Sequence, residues 1–72
     1  MKMFRLEVYP DSGYRKQTTL IEAPNIDEAE RIGGMTRDRI DPSAMYEVTE
    51  LYGISKKLAE RAVRRHKYLI GQ

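Results

Sequence analysis

The chain has no cysteine and no tryptophan, one histidine, one phenylalanine and three prolines in 72 residues. Without cysteine it can be neither a disulfide-stapled secreted mini-protein nor a cysteine-ligated zinc domain. Apolar runs stop at two or three residues, as at Leu20-Ile21 and Leu69-Ile70, far short of a membrane span. The opening Met-Lys-Met-Phe-Arg-Leu-Glu has no apolar stretch of the signal-peptide kind, and the expected location is the cytoplasm. Net charge is also scarce, with 13 Lys+Arg against 11 Asp+Glu giving a formal +2. The length allows a single domain over 1–72, with a small core.

The residues present alternate first. In Met3–Tyr9, Phe4, Leu6 and Val8 share one side and Arg5 and Glu7 the other, the period of a half-buried strand. Pro10-Asp11-Ser12-Gly13 is a turn signal, and 14–22 is rich in β-formers, so 3–22 is expected to be a hairpin. Ala23-Pro24 breaks it. Asn25 is then an N-cap, with Glu28 placed to bond back to it and Asp27, Glu28 and Glu30 suited to the helix dipole. Ile26, Ala29 and Ile32 carry the apolar stripe, and Gly33-Gly34 is expected to end a helix over 25–33. The charged stretch from Met35 to Pro42 reads as a loop.

Residues 43–53 admit two structures. As a helix, Asp41 caps it, Pro42 takes the first position, and Ala44, Met45, Val48, Leu51 and Tyr52 line one face. As a strand over 44–52 it supplies the third strand that a marginal hairpin needs before it can support helices. The strand is preferred on that ground. Residues 55–70 then form a helix opened by Ser55. In it Leu58, Ala59, Ala62, Val63, His66, Leu69 and Ile70 fall within about 140° of arc. The expected fold is α+β, a two-layer ββαβα domain with a three-stranded antiparallel sheet against two helices. Its core would hold Phe4, Leu6, Val8, Leu20, Ile32, Val48, Leu58, Ala62 and Leu69. The alternative is a β-hairpin followed by three helices.

Charge is segregated along the chain. Residues 55–72 hold six bases against one acid, and residues 1–54 hold seven bases against ten acids. A +5 helix thus rides on a −3 body. Lys57, Arg61, Arg64, Arg65 and Tyr68 occupy the arc beside the apolar stripe. Lysine and arginine neutralise phosphates or carboxylates, and tyrosine can stack on a base or anchor an interface. These five are the expected contacts to a protein, a nucleoprotein, DNA or RNA. An unliganded face balancing the acidic body would look the same.

Catalysis has little to draw on. His66 lies on the apolar arc. Ser12, Ser43 and Ser55 sit where serine caps or turns the chain. Asp27 with Glu28, and Asp38 with Asp41, have no shared cleft to split their pKa values. Gly33-Gly34 is not followed by Lys-Ser/Thr, so it is no phosphate loop. No calcium-loop spacing is present. The expectation is no enzyme, no cofactor, no metal, no small-molecule substrate and no membrane partner.

Two resemblances bear on function. Val48-Thr49-Glu50-Leu51-Tyr52-Gly53-Ile54-Ser55 resembles the centre of a helix-turn-helix, spanning about 45–64. It departs at Thr49, where a small residue is usual, and in the spacing of Leu58 and Val63. The resemblance implies a DNA-binding regulator with Lys56, Lys57, Arg61 and Arg64 facing the major groove. Ile21-Glu22-Ala23 followed by Ala29, Arg31 and Ile32 resembles small phage-encoded ββαβ proteins, anti-CRISPR proteins among them, over about residues 3–52. The basic helix 55–70 is an addition to that pattern. This second resemblance implies a non-enzymatic protein of phage or mobile-element type, acting stoichiometrically as an inhibitor on a host protein or nucleoprotein. A purely structural domain without a polyanion partner is the third reading.

Overall fold

The computed structural model describes residues 1–11 and 15–66. Five elements follow one another: β1 (Lys2–Tyr9), β2 (Gln17–Ala23), α1 (Ile26–Ile40), β3 (Met45–Glu50) and α2 (Gly53–His66). The sheet order is β2-β1-β3, with both pairings antiparallel. The ββαβα, α+β domain expected from the sequence is the fold observed. Residues 45–50 pair with β1, which removes the three-helix alternative and with it the helix-turn-helix, whose first helix would have to occupy this strand.

Register decides which side chains form the core. Directly opposed residues share a face of the sheet. Phe4 opposes Ile21 and Glu50, Leu6 opposes Thr19 and Val48, and Val8 opposes Gln17 and Tyr46. Phe4, Leu6, Val8, Ile21, Ala23, Ala29 and Ala44 make the buried cluster, with Ile32, Ile40, Tyr46 and Val48 packed against it. Leu20 does not belong to it. It opposes Arg5 on the second face and is half-buried, and Ile21 fills the place expected of it. Leu58 is also outside the core, at 57 % exposure. Ala62 is half-buried, and Leu69 lies outside the described residues.

α1 does not end at residue 33 but runs through Gly33-Gly34 to Ile40. The start is as expected. Asn25 Oδ1 accepts from the Glu28 backbone N–H at 2.9 Å, although the Glu28 carboxylate turns to Arg31 Nε at 2.8 Å and does not close a capping box. Gly33-Gly34 is not the stop because the two glycines face the sheet. A Cβ on Gly33 would meet Val48 Cγ2 at 3.0 Å and Leu6 Cδ1 at 3.2 Å, and one on Gly34 would meet Tyr46 Oη at 3.2 Å. The pair lets the helix lie close on the strands. The stripe Ala29, Ile32, Gly33, Thr36, Ile40 then continues at helical spacing through the stretch expected to be loop.

The stop comes at Asp41-Pro42. The Asp41 N–H donates to the Arg37 carbonyl at 2.8 Å, and Pro42 cannot extend the helix. Asp41 Oδ1 accepts from the Ser43 hydroxyl at 2.7 Å and its N–H at 3.0 Å, which lowers the Asp41 pKa from its usual range. Arg37 ties the turn to β3. Its guanidinium donates to the Ala44 carbonyl at 2.9 Å and sits 5.1 Å from the Tyr46 ring centre, a cation–π distance.

The second face of the sheet carries Met3, Arg5, Glu7 and Tyr9 from β1. Glu7 is the buried charge of the described structure, at 8 % exposure. It opposes Glu47, a like-charge pairing that disfavours the sheet. Lys16 Nζ at 2.7 Å and Arg5 Nε at 3.5 Å from the Glu7 carboxylate offset this. The hydrogen bond from Lys16 lowers the Glu7 pKa, against the opposing effect of burial. A carboxyl whose folded pKa is depressed contributes stability above its unfolded value, and that contribution is lost as pH falls through the folded pKa. Acidification below about pH 4.5 is therefore expected to destabilise the protein partly through Glu7. In urea melts at pH 7 and pH 3, Glu7→Gln should lower stability at pH 7 and shrink the difference between the two. An unchanged difference would exclude Glu7 as a source of acid sensitivity.

Candidate interaction surface on the C-terminal helix

β3 leaves the sheet beside the start of β1, where the Leu51 N–H donates to the Met3 carbonyl at 2.9 Å. Gly53, at φ +58°, turns the chain in a conformation that glycine adopts without steric cost. α2 opens there, two residues before Ser55, so Ser55 lies in the first turn and is not the cap. The glycine turn expected from Tyr52-Gly53-Ile54-Ser55 is real, but a strand precedes it. α2 touches β1. Met3, on the sheet face away from α1, is buried at the end of β1 where α2 begins, and Ala59 is buried among the α2 side chains described, those of residues 53–62.

The burial of Ala59 sets the rotation of the helix. Taking Ala59 as the inward direction, Lys56, Glu60 and Ala62 lie to either side and are half-buried. At 100° per residue Leu58 is about 100° away from Ala59, and Lys57, Arg61 and Ile54 lie farther round still. All four are exposed, Ile54 at 78 % and Leu58 at 57 %. They share an outward arc of about 100°. Tyr52, 71 % exposed, stands just ahead of the first turn. Interaction with the nearby Glu50 carboxylate raises the pKa of its hydroxyl.

Lys57 and Arg61 are thus placed together on solvent. Arg64 and Arg65 belong to α2, with side chains outside the described set, and Tyr68 lies outside the described residues. Sequence reasoning missed Ile54 and turned Leu58 inward. The signal was available in principle, since Ile54 and Leu58 are four apart. It lost to the longer stripe through Ala59, Ala62 and Val63.

No helix of the described structure is long and apolar enough to cross a membrane. Among the described residues no three His, Asp or Glu side chains gather as a metal site would need. A groove on α1 is lined, among the described residues, by Arg31, Ile32, Met35, Thr36 and Arg39, all from that one helix. Comparison of the chain with family models, with curated proteins and with solved structures finds no match.

Proposed function

We propose that the protein is a small non-enzymatic binding protein that docks α2 onto an acidic protein surface. The observation that carries this is the exposure of Ile54 and Leu58 on the same arc as Lys57 and Arg61. An apolar centre with a cationic rim is the composition of a protein interface, in which aliphatic anchors lose water and the charges steer and align. A phosphate backbone would engage Lys57 and Arg61 but leave Ile54 and Leu58 without an apolar counterpart. The partner is then a host protein or the protein part of a nucleoprotein, and the action is stoichiometric, as the resemblance to phage-encoded proteins implies.

Immobilised protein exposed to nuclease-treated host lysate tests this. A captured protein whose recovery falls about tenfold or more in Lys57→Glu/Arg61→Glu supports the proposal, since two reversed charges at a docked rim cost more than about 1.4 kcal/mol. Capture unaffected by that variant would remove α2 as the surface. Duplex DNA binding with a steep salt dependence that flattens in Arg61→Ala would replace the protein partner with nucleic acid. Binding to anionic vesicles in preference to any protein would replace it with a membrane surface.

A further inference from the structure

The two outer strands of the sheet differ as edges. β3 carries Glu47 and Glu50 and no base, and Arg37 from α1 reaches the carbonyl of Ala44 at its entrance. A copy of β3 laid against itself about Glu47 would bring acid onto acid. β2 pairs with β1 alone among the described strands. Its seven residues, Gln-Thr-Thr-Leu-Ile-Glu-Ala, contain none of the lysines, prolines or central charges with which proteins blunt an open edge. Its charges are polar in order. Arg15 and Lys16 precede the strand, and Glu22 stands at its far end.

We propose that β2 is a self-pairing edge, through which two copies of this chain join antiparallel about a two-fold axis into one continuous sheet. The order of charges on β2 is complementary to its own reverse. With Thr19 opposite Thr19 of the second copy, Thr18 meets Leu20, Gln17 meets Ile21, and Lys16 meets Glu22, each contact occurring twice. Antiparallel two-fold pairing keeps like faces together. Lys16 and Glu22 both belong to the second sheet face, since Lys16 reaches Glu7 there and Glu22 opposes Met3. The ammonium has three donors, so Lys16 can keep Glu7 and take Glu22 of the second copy as well. Threonine pairs and opposite charges across strands each add to sheet pairing. Pro24 follows the strand and ends the ladder, because it has no N–H to give.

Sedimentation of the full chain over a concentration series tests the edge. A dimer is expected with half-dissociation between about 10 μM and 1 mM, as suits a short, polar contact. Glu22 makes no ion pair within the chain among the described residues, so Glu22→Lys leaves internal pairs intact. It should weaken the dimer about tenfold or more, because it sets an ammonium against the Lys16 ammonium at two places. Lys16→Glu should do likewise. Mixing these two variants should recover association, because each then offers what the other lacks. A wild type that stays monomeric to about 1 mM overturns the proposal. So does a dimer indifferent to Glu22→Lys, or a mixture that fails to associate while both variants keep a folded circular dichroism spectrum. A dimer lost instead in Leu58→Ser would move the contact to α2 and overturn it equally. The results of the Glu22 and Lys16 variants leave the proposed docking of α2 untouched.

Discussion

Gly33→Leu is expected to destabilise the protein by about 2 kcal/mol, while Gly34→Ala, one residue away, should be neutral or stabilising by about 0.5 kcal/mol. At Gly33 a Cβ alone already meets Val48 Cγ2 at 3.0 Å and Leu6 Cδ1 at 3.2 Å. Neither neighbour can yield easily. Leu6 is fully buried in the centre of β1, and Val48 is β-branched with a restricted χ1 in a paired strand. A leucine there must push α1 off the sheet, and overpacking of this kind costs about 1–3 kcal/mol or more. The helical gain over glycine returns about 1 kcal/mol. In so small a domain the balance is a large share of total stability. At Gly34 the nearest atom is the Tyr46 hydroxyl at 3.2 Å, the far end of a half-buried side chain that can shift. Urea melts of Gly33→Ala, Gly33→Leu and Gly34→Ala give the ranking. Equal effects at 33 and 34 would show that the close approach of α1 is not what places glycine there.

The same two residues mark where local reasoning ran out. Gly-Gly after an apolar stripe is an equally good helix stop and an equally good site of close packing. Only Leu6, Val48 and Tyr46, distant in sequence, distinguish the two. The alternation of β1 was legible because both its faces are specified, and the Asn25 cap because its partner, the Glu28 N–H, is three residues away. β3 was legible from the needs of a sheet more than from its own pattern. In β2, Leu20 and Ile21 are adjacent and equally apolar. The pairing of Ile21 with Phe4 chooses between them, and that pairing passes through the turn. α2 was legible as a helix and as a basic one, since charge and period are local. Its rotation was not, because the direction of Ala59 depends on where Gly53 aims the helix relative to β1.

That rotation has the second large consequence. Ile54→Ser/Leu58→Ser is expected to weaken partner binding about 100-fold while leaving the folding free energy within about 0.5 kcal/mol. Both side chains are more than half exposed in the free protein and lie outside the buried cluster, so truncating them removes little packing, and serine is only modestly poorer than leucine or isoleucine in a helix. In a docked interface each would be desolvated, and losing a buried aliphatic side chain costs about 1.5–3 kcal/mol. Since each is already partly buried in the free protein, the two together amount to roughly 2–4 kcal/mol, which brackets the roughly 2.7 kcal/mol that 100-fold represents. The binding loss should persist at high salt, whereas that of Lys57→Glu/Arg61→Glu should shrink as salt screens the rim charges. The pair of variants thus separates the apolar centre from its rim. Urea melts alongside titration of the captured partner at two salt concentrations read both quantities. If the serine variant binds as wild type and the charge variant alone fails, the surface is electrostatic throughout, and a polyanion becomes the better occupant of α2. If the serine variant instead loses several kcal/mol of stability, Ile54 and Leu58 belong to the fold, and the exposed apolar arc is not a docking site.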